Sequence, residues 1–377
     1  MRNKKKQLKI VMLGHKRIPS REGGVEIVVE ELSTRMAAAG HQVACLNRAG
    51  KHVSGSEYTA ERQSEHKGVR IRTVWTLDKK GLAAMTASVT GAVLAAFGRY
   101  DVVHFHAEGP CAMLWLPKLF GKRCIATIHG LDHRRAKWGR FARAYIMLGE
   151  KCAVRFADEI IVLSQGVQQY FQDTYDRETV FIPNGVTKPE IREADQITCR
   201  FGLKKDGYIL FLGRLVPEKG IHYLIEAYQN LNTNKKLVIA GGSSDTDEYM
   251  ARLKNMAADN PNILFTGFVQ GPLLEELYSN AYLYVLPSDL EGMPLSLLEA
   301  MSYGNCCVVS DIPECTEVVE DKAVTFQHGN VEALTRYLQI LCIDDQMVIN
   351  MKKAARDFIC GKYSWDEVAA KTLELYQ

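Results

Sequence analysis

Two series of short apolar runs, separated by segments of helix length, dominate the chain. The first comprises Leu8–Leu13, Gln42–Leu46, Val69–Val74, Asp101–Phe105, Arg123–Ile128, Glu159–Leu163 and Thr179–Ile182. Runs this short, bounded by turn residues, read as strands. Val25–Ala39 carries its apolar positions at helical spacing, so the first two runs and this helix make a β-α-β unit and predict a parallel sheet. The second series, Tyr208–Leu212, Lys236–Ala240, Asn262–Thr266, Tyr282–Leu286 and Cys306–Val309, repeats the alternation. The expected fold class is α/β, with two Rossmann-like domains, residues 1–185 and 186–362. Ser364 and Trp365 open a last short helix within residues 363–377, and the Pro-, Gly- and charge-rich stretch 183–206 is the expected hinge.

Composition narrows the class. A chain of 377 residues, 47% hydrophobic, is too long for one ordinary core. Its net charge of +3 argues against a general nucleic-acid binder. Ten cysteines stand singly except Cys306 and Cys307, without a CxxC or a Cys/His cluster at zinc spacing, so a reduced cytoplasmic protein without a structural metal is expected. The basic start has only Ile10–Leu13 as its apolar run, too short for a signal peptide. Leu82–Phe97, interrupted by Thr86, Ser88, Thr90 and Gly91, is too short and too polar to span a membrane and is expected as a buried helix.

Candidate chemistry concentrates in Ser288–Met301, SDLEGMPLSLLEAM. A strand ends at Leu286, turn residues follow, and Pro294 opens a helix. Backbone N–H groups around Met293 to Ser296 lack intrahelical partners, so this helix start, with the loop residues Gly292, Met293, Pro294 and Leu295, suits a phosphate or sugar oxygen. Glu291 falls on the loop and Glu299 on the second helical turn, among Leu295, Leu297, Leu298 and Met301. A carboxylate there can accept two hydroxyls of a ribose diol. For an arbitrary pair the better reading is a solvated loop charge at Glu291 and a helix-surface charge at Glu299; the apolar neighbours of Glu299 favour a partnered carboxylate.

At these residues the chain resembles the retaining glycosyltransferases of family 4, which have the two-domain GT-B fold and carry Glu, seven residues, Glu. The resemblance implies that Glu299 holds the nucleotide ribose of a nucleoside-diphosphate sugar and that Glu291 lies by the donor sugar. It further implies donor chemistry without metal or other cofactor, a cleft between the domains, and a C-terminal segment that crosses back to the first domain.

Other motifs fit the same family. Gly213–Gly220, GRLVPEKG, matches its G-R-(three or four residues)-K-G pattern, in which Arg214 and Lys219 grip the leaving diphosphate; a guanidinium and an ammonium suit that charge. Read without the family, they are two loop cations. Gly14–Glu26 ends in Gly23 and Gly24 at a helix start, where backbone can approach a ligand closely. It is no GxGxxG, and a flexible turn explains it equally; the resemblance implies contact with donor phosphate. Ile18-Pro19 together with Gly23-Gly24-Val25-Glu26 is similar to a bacterial subgroup that includes rhamnosyltransferases of capsule assembly. His129, in ATIHG, is by itself an ordinary core histidine and by resemblance a contact to sugar hydroxyls. Gly242 and Val269 are implied to present backbone groups to base and ribose.

Asp132–Tyr145 interleaves Arg134, Arg135, Lys137, Arg140 and Arg143 with Trp138, Phe141 and Tyr145. Such a segment suits an anionic membrane surface or a lipid-diphosphate acceptor, and equally a solvated basic helix with its aromatics in the core. Asp245 and Asp247, the nearest approach to a DxD metal site, read as loop residues. The expected protein is thus a hexosyltransferase acting on a glycan or lipid-linked acceptor in bacterial surface polysaccharide synthesis, peripheral to the inner face of the plasma membrane. A sugar-nucleotide epimerase of the same fold and a non-catalytic nucleotide-binding subunit are the competing readings.

Overall fold

The computed structural model describes residues 7–50, 63–77, 79, 81–135, 138–242 and 247–377. The chain divides into two compact units, one formed by Met1–Asn184 with Trp365–Gln377 and the other by Gly185–Ser364.

The first unit is built on eight strands: β1 (Lys9–Leu13), β2 (Gln42–Arg48), β3 (Glu65–His66), β4 (Val69–Val74), β5 (Val102–His106), β6 (Arg123–Ile128), β7 (Glu159–Val162) and β8 (Val180–Phe181). They lie in the order β3-β4-β2-β1-β5-β6-β7-β8, and all pair in parallel except β3 with β4. Ile10, Val11, Met12, Val103, Phe105 and Ile125 are buried, as expected for a sheet covered on both faces. The second unit has β9 (Tyr208–Leu212), β10 (Lys236–Ala240), β11 (Ile263–Gly267), β12 (Leu283–Leu286), β13 (Cys306–Ser310) and β14 (Val324–Phe326). Its order is β11-β10-β9-β12-β13-β14, parallel throughout. The apolar runs located these strands except β3 and β14, which at two and three residues are too short to leave a pattern.

Each sheet reverses its winding direction once, between β1 and β5 in the first unit and between β9 and β12 in the second. Loops at the carboxyl ends of the two strands flanking such a switch point diverge and leave a crevice, where ligands of open α/β sheets bind. The loops after β1, β9 and β12 are the ones that carry Gly23 and Gly24, Arg214 and Lys219, and Glu291.

The C-terminal helix Trp365–Glu374 packs into the first unit. Trp365 is buried, the Tyr376 hydroxyl and His104 Nδ1 are 2.6 Å apart, and Arg123 Nε donates to the Leu375 carbonyl at 2.7 Å. Helix Leu82–Phe97 departs from expectation. Ala87, Gly91, Ala92, Ala95 and Ala96 face the core, whereas Val89, Val93, Leu94 and Phe97 are exposed. The small residues let the helix lie close to the sheet, so the larger ones are turned outward, where Phe97 packs edge-on against the exposed Phe120 at 4.7 Å. Asp247 also departs: it opens the helix Asp247–Ala257, while Asp245 lies outside the described residues.

Candidate functional site

In the second unit the loop after β9 is held by backbone geometry that only glycine allows. Gly220 has φ +63°, and a Cβ there would stand 1.9 Å from the Pro287 carbonyl oxygen. The turn Pro217–Lys219 therefore lies directly on the end of β12, and the Asp289 N–H bonds the Glu218 carbonyl at 2.9 Å. Gly241 serves the neighbouring contact, since a Cβ would meet Gly213 oxygen at 1.8 Å.

This approach brings together Lys219 and Glu291, separated by 72 positions in sequence. Lys219 Nζ lies 2.6 Å from Glu291 Oε1, with both side chains about nine-tenths buried. The Ser288 hydroxyl donates to the same oxygen at 2.6 Å, and Ser310 Oγ in turn donates to the Ser288 carbonyl at 2.5 Å. Both charges are thus taken out of water as a matched pair. Arg214, half-buried, stands on the same loop.

Pro294 precedes helix Leu295–Ser302, and its carbonyl accepts from the N–H groups of Leu297 and Leu298 at 3.1 and 3.2 Å. The helix has no side-chain cap, and its amino terminus is formed by the buried Gly292, Met293, Pro294 and Leu295. Glu299 is half-buried rather than enclosed: its neighbours are apolar, but the carboxylate lies at the helix flank and accepts from the Tyr278 hydroxyl at 3.3 Å. Tyr278 itself is fully buried and stacks on Tyr303 at 5.2 Å. Gly242 follows β10, with its carbonyl accepting from Leu215 N at 3.0 Å, and Val269 is buried after β11.

In the first unit the loop after β1 begins at Gly14, whose φ of +107° and 2.1 Å approach to the His106 carbonyl oxygen again exclude a side chain. Arg48 Nη2 donates to the Gly14 carbonyl at 2.7 Å, and Asn47 bonds both the N–H and the carbonyl of Ile18. Gly23 caps helix Gly24–Ala38 in an extended conformation. Where its Cβ would stand, the Glu26 carboxylate sits at 2.6 Å. Burial opposes the charge on Glu26, but the Lys16 N–H and the nearby Lys16, His15 and Arg48 hold the carboxyl below its usual range. The amino terminus of this helix therefore already faces an internal carboxylate, with which a phosphate at Gly23 and Gly24 would compete.

His129 closes β6 and contacts His106, Nε2 to Nδ1 at 3.1 Å. Loss of solvation holds both rings below the usual imidazole range, so they are neutral at pH 7, fit for polar contact rather than for cationic grip. His106 and the buried His104, which stacks on it at 4.2 Å, went unremarked in the sequence although the alternation His104-Phe105-His106 on a strand puts both rings on one face. Of the basic segment, Arg134, Arg140 and Arg143 are exposed, and Arg135 pairs with Asp132 at 2.7 Å. Lys137 lies outside the described residues. Trp138 and Tyr145 are half-buried, but Phe141 is 71% exposed and so is no core residue, because helix Arg140–Phe156 turns it outward beside Arg140.

Comparison with known proteins follows this division. Residues 22–188 match the family described as "Glycosyltransferase Family 4", and residues 197–358 match "Glycosyl transferases group 1". An uncharacterized glycosyltransferase of Methanocaldococcus jannaschii, MJ1607, is 30% identical over 74% of this chain and 75% of its own length. Among solved structures, sucrose-phosphate synthase from Thermosynechococcus elongatus superposes with TM-score 0.80 at 20% identity, covering 98% of each chain. Anabaena Alr3699/HepE in complex with UDP and glucose superposes with TM-score 0.81 at 16% identity, covering 98% of this chain and 99% of that one. The motif loops at the switch points, the two family matches and the shared architecture have one outcome: the chain belongs to the glycosyltransferases, with the GT-B fold of two Rossmann-like units.

Proposed function

We propose that this glycosyltransferase moves a hexosyl group from a nucleoside-diphosphate sugar to a glycan or lipid-linked acceptor, with retention at the anomeric carbon. The observation that carries the reading is the buried Lys219–Glu291 pair beside Arg214 and the helix amino terminus at Leu295, all at the carboxyl edge of β9 and β12. In this proposal the bond from the anomeric carbon to the diphosphate oxygen breaks and its electron pair leaves with the diphosphate. Arg214 and Lys219 stabilise that developing charge, a task other transferases give to a divalent ion, so donor chemistry proceeds without metal. The acceptor oxygen bonds to the anomeric carbon on the face that the diphosphate leaves, and its proton passes to the departing diphosphate oxygen.

Glu299 accepts the ribose hydroxyls, with Tyr278 fixing its carboxylate. Glu291 orients Lys219 and lies toward the donor sugar, and the backbone at Gly292, Met293, Pro294 and Leu295 meets sugar or phosphate oxygens. Gly242 and Val269 present backbone to the base and ribose. Neutral His129 suits sugar hydroxyls, and Gly23 and Gly24 suit close approach of a ligand to the backbone. A fold shared with a protein crystallised with UDP and glucose supports a nucleotide-sugar donor. The Ile18-Pro19 and Gly23–Glu26 pattern supports a role in bacterial surface polysaccharide, and the exposed Arg134, Arg140, Phe141 and Arg143 support contact with an anionic membrane on the cytoplasmic side.

The test is a thermal-shift screen with nucleoside diphosphates and their sugar conjugates, without metal, beside Glu299→Ala and Arg214→Ala. A ligand at 100 times its Kd should stabilise by about 2.7 kcal/mol, and both variants should lose that shift. No shift with any nucleotide, with or without metal, would sink the reading. Turnover of donor without nucleotide release would instead identify an epimerase, and binding without turnover a non-catalytic subunit.

A further inference from the structure

Away from the motif loops, the first unit encloses a group of side chains that the transfer chemistry does not use. Glu108 follows β5, His133 lies in the short turn Asp132–Arg134, and Glu150 is on helix Arg140–Phe156. Gly149, the residue before Glu150, explains why they meet. A Cβ at Gly149 would stand 2.0 Å from the Glu108 carbonyl oxygen, so glycine lets the helix lie directly on the Glu108 backbone.

Glu108 and Glu150 are both fully buried. Neither Glu108 oxygen has a hydrogen-bond partner of normal geometry, nor has Glu150 Oε2 or His133 Nδ1. Among the described residues, His133 is the only basic side chain in ion-pair reach of either carboxylate, with Nδ1 3.3 Å from Glu150 Oε2 and 3.6 Å from Glu108 Oε1. One donor atom from each of the three residues lies within 4.8 Å of the others.

These distances have a chemical meaning. Nitrogen and oxygen donors about 2.0–2.2 Å from a tetrahedral ion stand about 3.3–3.6 Å from one another. The remaining Glu150 oxygen, Oε1, accepts from the hydroxyls of Tyr170, at 2.9 Å, and Tyr175. Such outer partners orient a ligating carboxylate. The His133 side chain keeps 14% exposure, which leaves a way in from solvent.

We propose that Glu108, His133 and Glu150 form a site for a divalent transition ion, with Zn2+ the best match to one imidazole and two carboxylates at this spacing. The ion would compensate two buried carboxylates and tie the end of β5 to helix Arg140–Phe156 and the turn Asp132–Arg134, which carries part of the basic segment. It is a resident structural ion in the first unit, separate from the diphosphate chemistry assigned to Arg214 and Lys219, and does not depend on that assignment.

A proton is the competing occupant. Burial, together with the facing Glu150 carboxyl, holds the Glu108 carboxyl well above the usual carboxylate range, so the pair could share a proton instead. Metal analysis distinguishes the two. Tag-free full-length protein is assayed for bound metal, stripped with chelator, and titrated calorimetrically with Zn2+ alone, beside Glu108→Gln, Glu150→Gln, His133→Ala and Tyr175→Phe. The expected result is about one ion per chain, bound at least about 100-fold more weakly by the first three variants and about 10–100-fold more weakly by Tyr175→Phe. His133→Ala removes a partly exposed ring and Tyr175→Phe a single hydroxyl, so these two serve if the buried glutamates are needed for folding. A parent protein that neither carries nor binds Zn2+ would overturn the proposal. Unchanged Zn2+ binding in the folded variants would overturn it too, by moving the ion to another site.

Discussion

Lys219→Met isolates the pair on which the donor site turns. The substitution keeps the length of the side chain but, among the described residues, leaves Glu291 with the Ser288 hydroxyl as the only hydrogen-bond donor to its carboxylate. Breaking one partner of a buried ion pair costs about 3–5 kcal/mol, chiefly from the charge left behind. With the two side chains 11% and 8% exposed, the lower half of that range applies, about 3 kcal/mol. For a unit of this size each kcal/mol lowers Tm by about 2–4 °C, so the expected loss is about 6–12 °C. Glu291→Gln leaves the ammonium uncompensated and should cost a similar amount, yet the double variant should cost well under the sum, because no buried charge remains without a partner. Nucleotide affinity should separate the two residues. Loss of a charge-assisted contact of about 1.5–3 kcal/mol lowers diphosphate affinity about 10- to 150-fold in Lys219→Met. Glu291→Gln should keep or improve that affinity, since a carboxylate no longer competes for the ammonium, while donor turnover falls. The assays are scanning calorimetry for stability and isothermal calorimetry with the nucleoside diphosphate. Additive stability effects, or equal affinity losses in both single variants, would refute the coupling.

Three further outcomes follow from the geometry. Gly220→Ala should destabilise by more than about 3 kcal/mol, because a left-handed backbone and a Cβ 1.9 Å from a carbonyl oxygen cannot both be relieved. Gly202→Ala, at the same φ of +63° but with open space around it, should cost only about 1–2 kcal/mol, and equal urea midpoints would show that φ alone matters. Stability should fall as pH drops from 6.5 toward 4. Burial lowers His15 to about 4 and His104 to about 3, so the unfolded chain takes up protons in that window while the folded one does not. Each contributes about 1.4 kcal/mol per pH unit, and a Tm that rises on acidification through this range would contradict the assignment. Neutralising Arg134, Arg135, Lys137, Arg140 and Arg143 together should abolish sedimentation with anionic liposomes at low salt; unchanged sedimentation would remove the membrane role.

Much of this protein was determined locally. Buried parallel strands need continuous apolar stretches, so β1, β2, β4, β5, β6 and, in the second unit, β9 to β13 declared themselves by pattern, as did the Pro294 helix start and the loops bearing Arg214, Lys219 and Glu291. Local pattern could not supply which strands are neighbours. The reversals between β1 and β5 and between β9 and β12 arise from strand order, a property of long-range pairing, and they put the motif loops at crevices. Close backbone approach is equally non-local: Gly220 against Pro287 joins Lys219 to Glu291 across 72 positions, and Gly149 against Glu108 gathers Glu108, His133 and Glu150 from a strand end, a turn and a helix. Helix Leu82–Phe97 shows the converse. Its apolar residues lie on every side, between Thr86, Ser88 and Thr90, and only packing decided that its alanines and glycine would face the sheet while Val93 and Phe97 faced out. Hydrophobic burial is non-directional and so is written into composition and period. Ion pairs, hydrogen bonds and donor spacings depend on the meeting of distant residues, which the tertiary structure alone arranges.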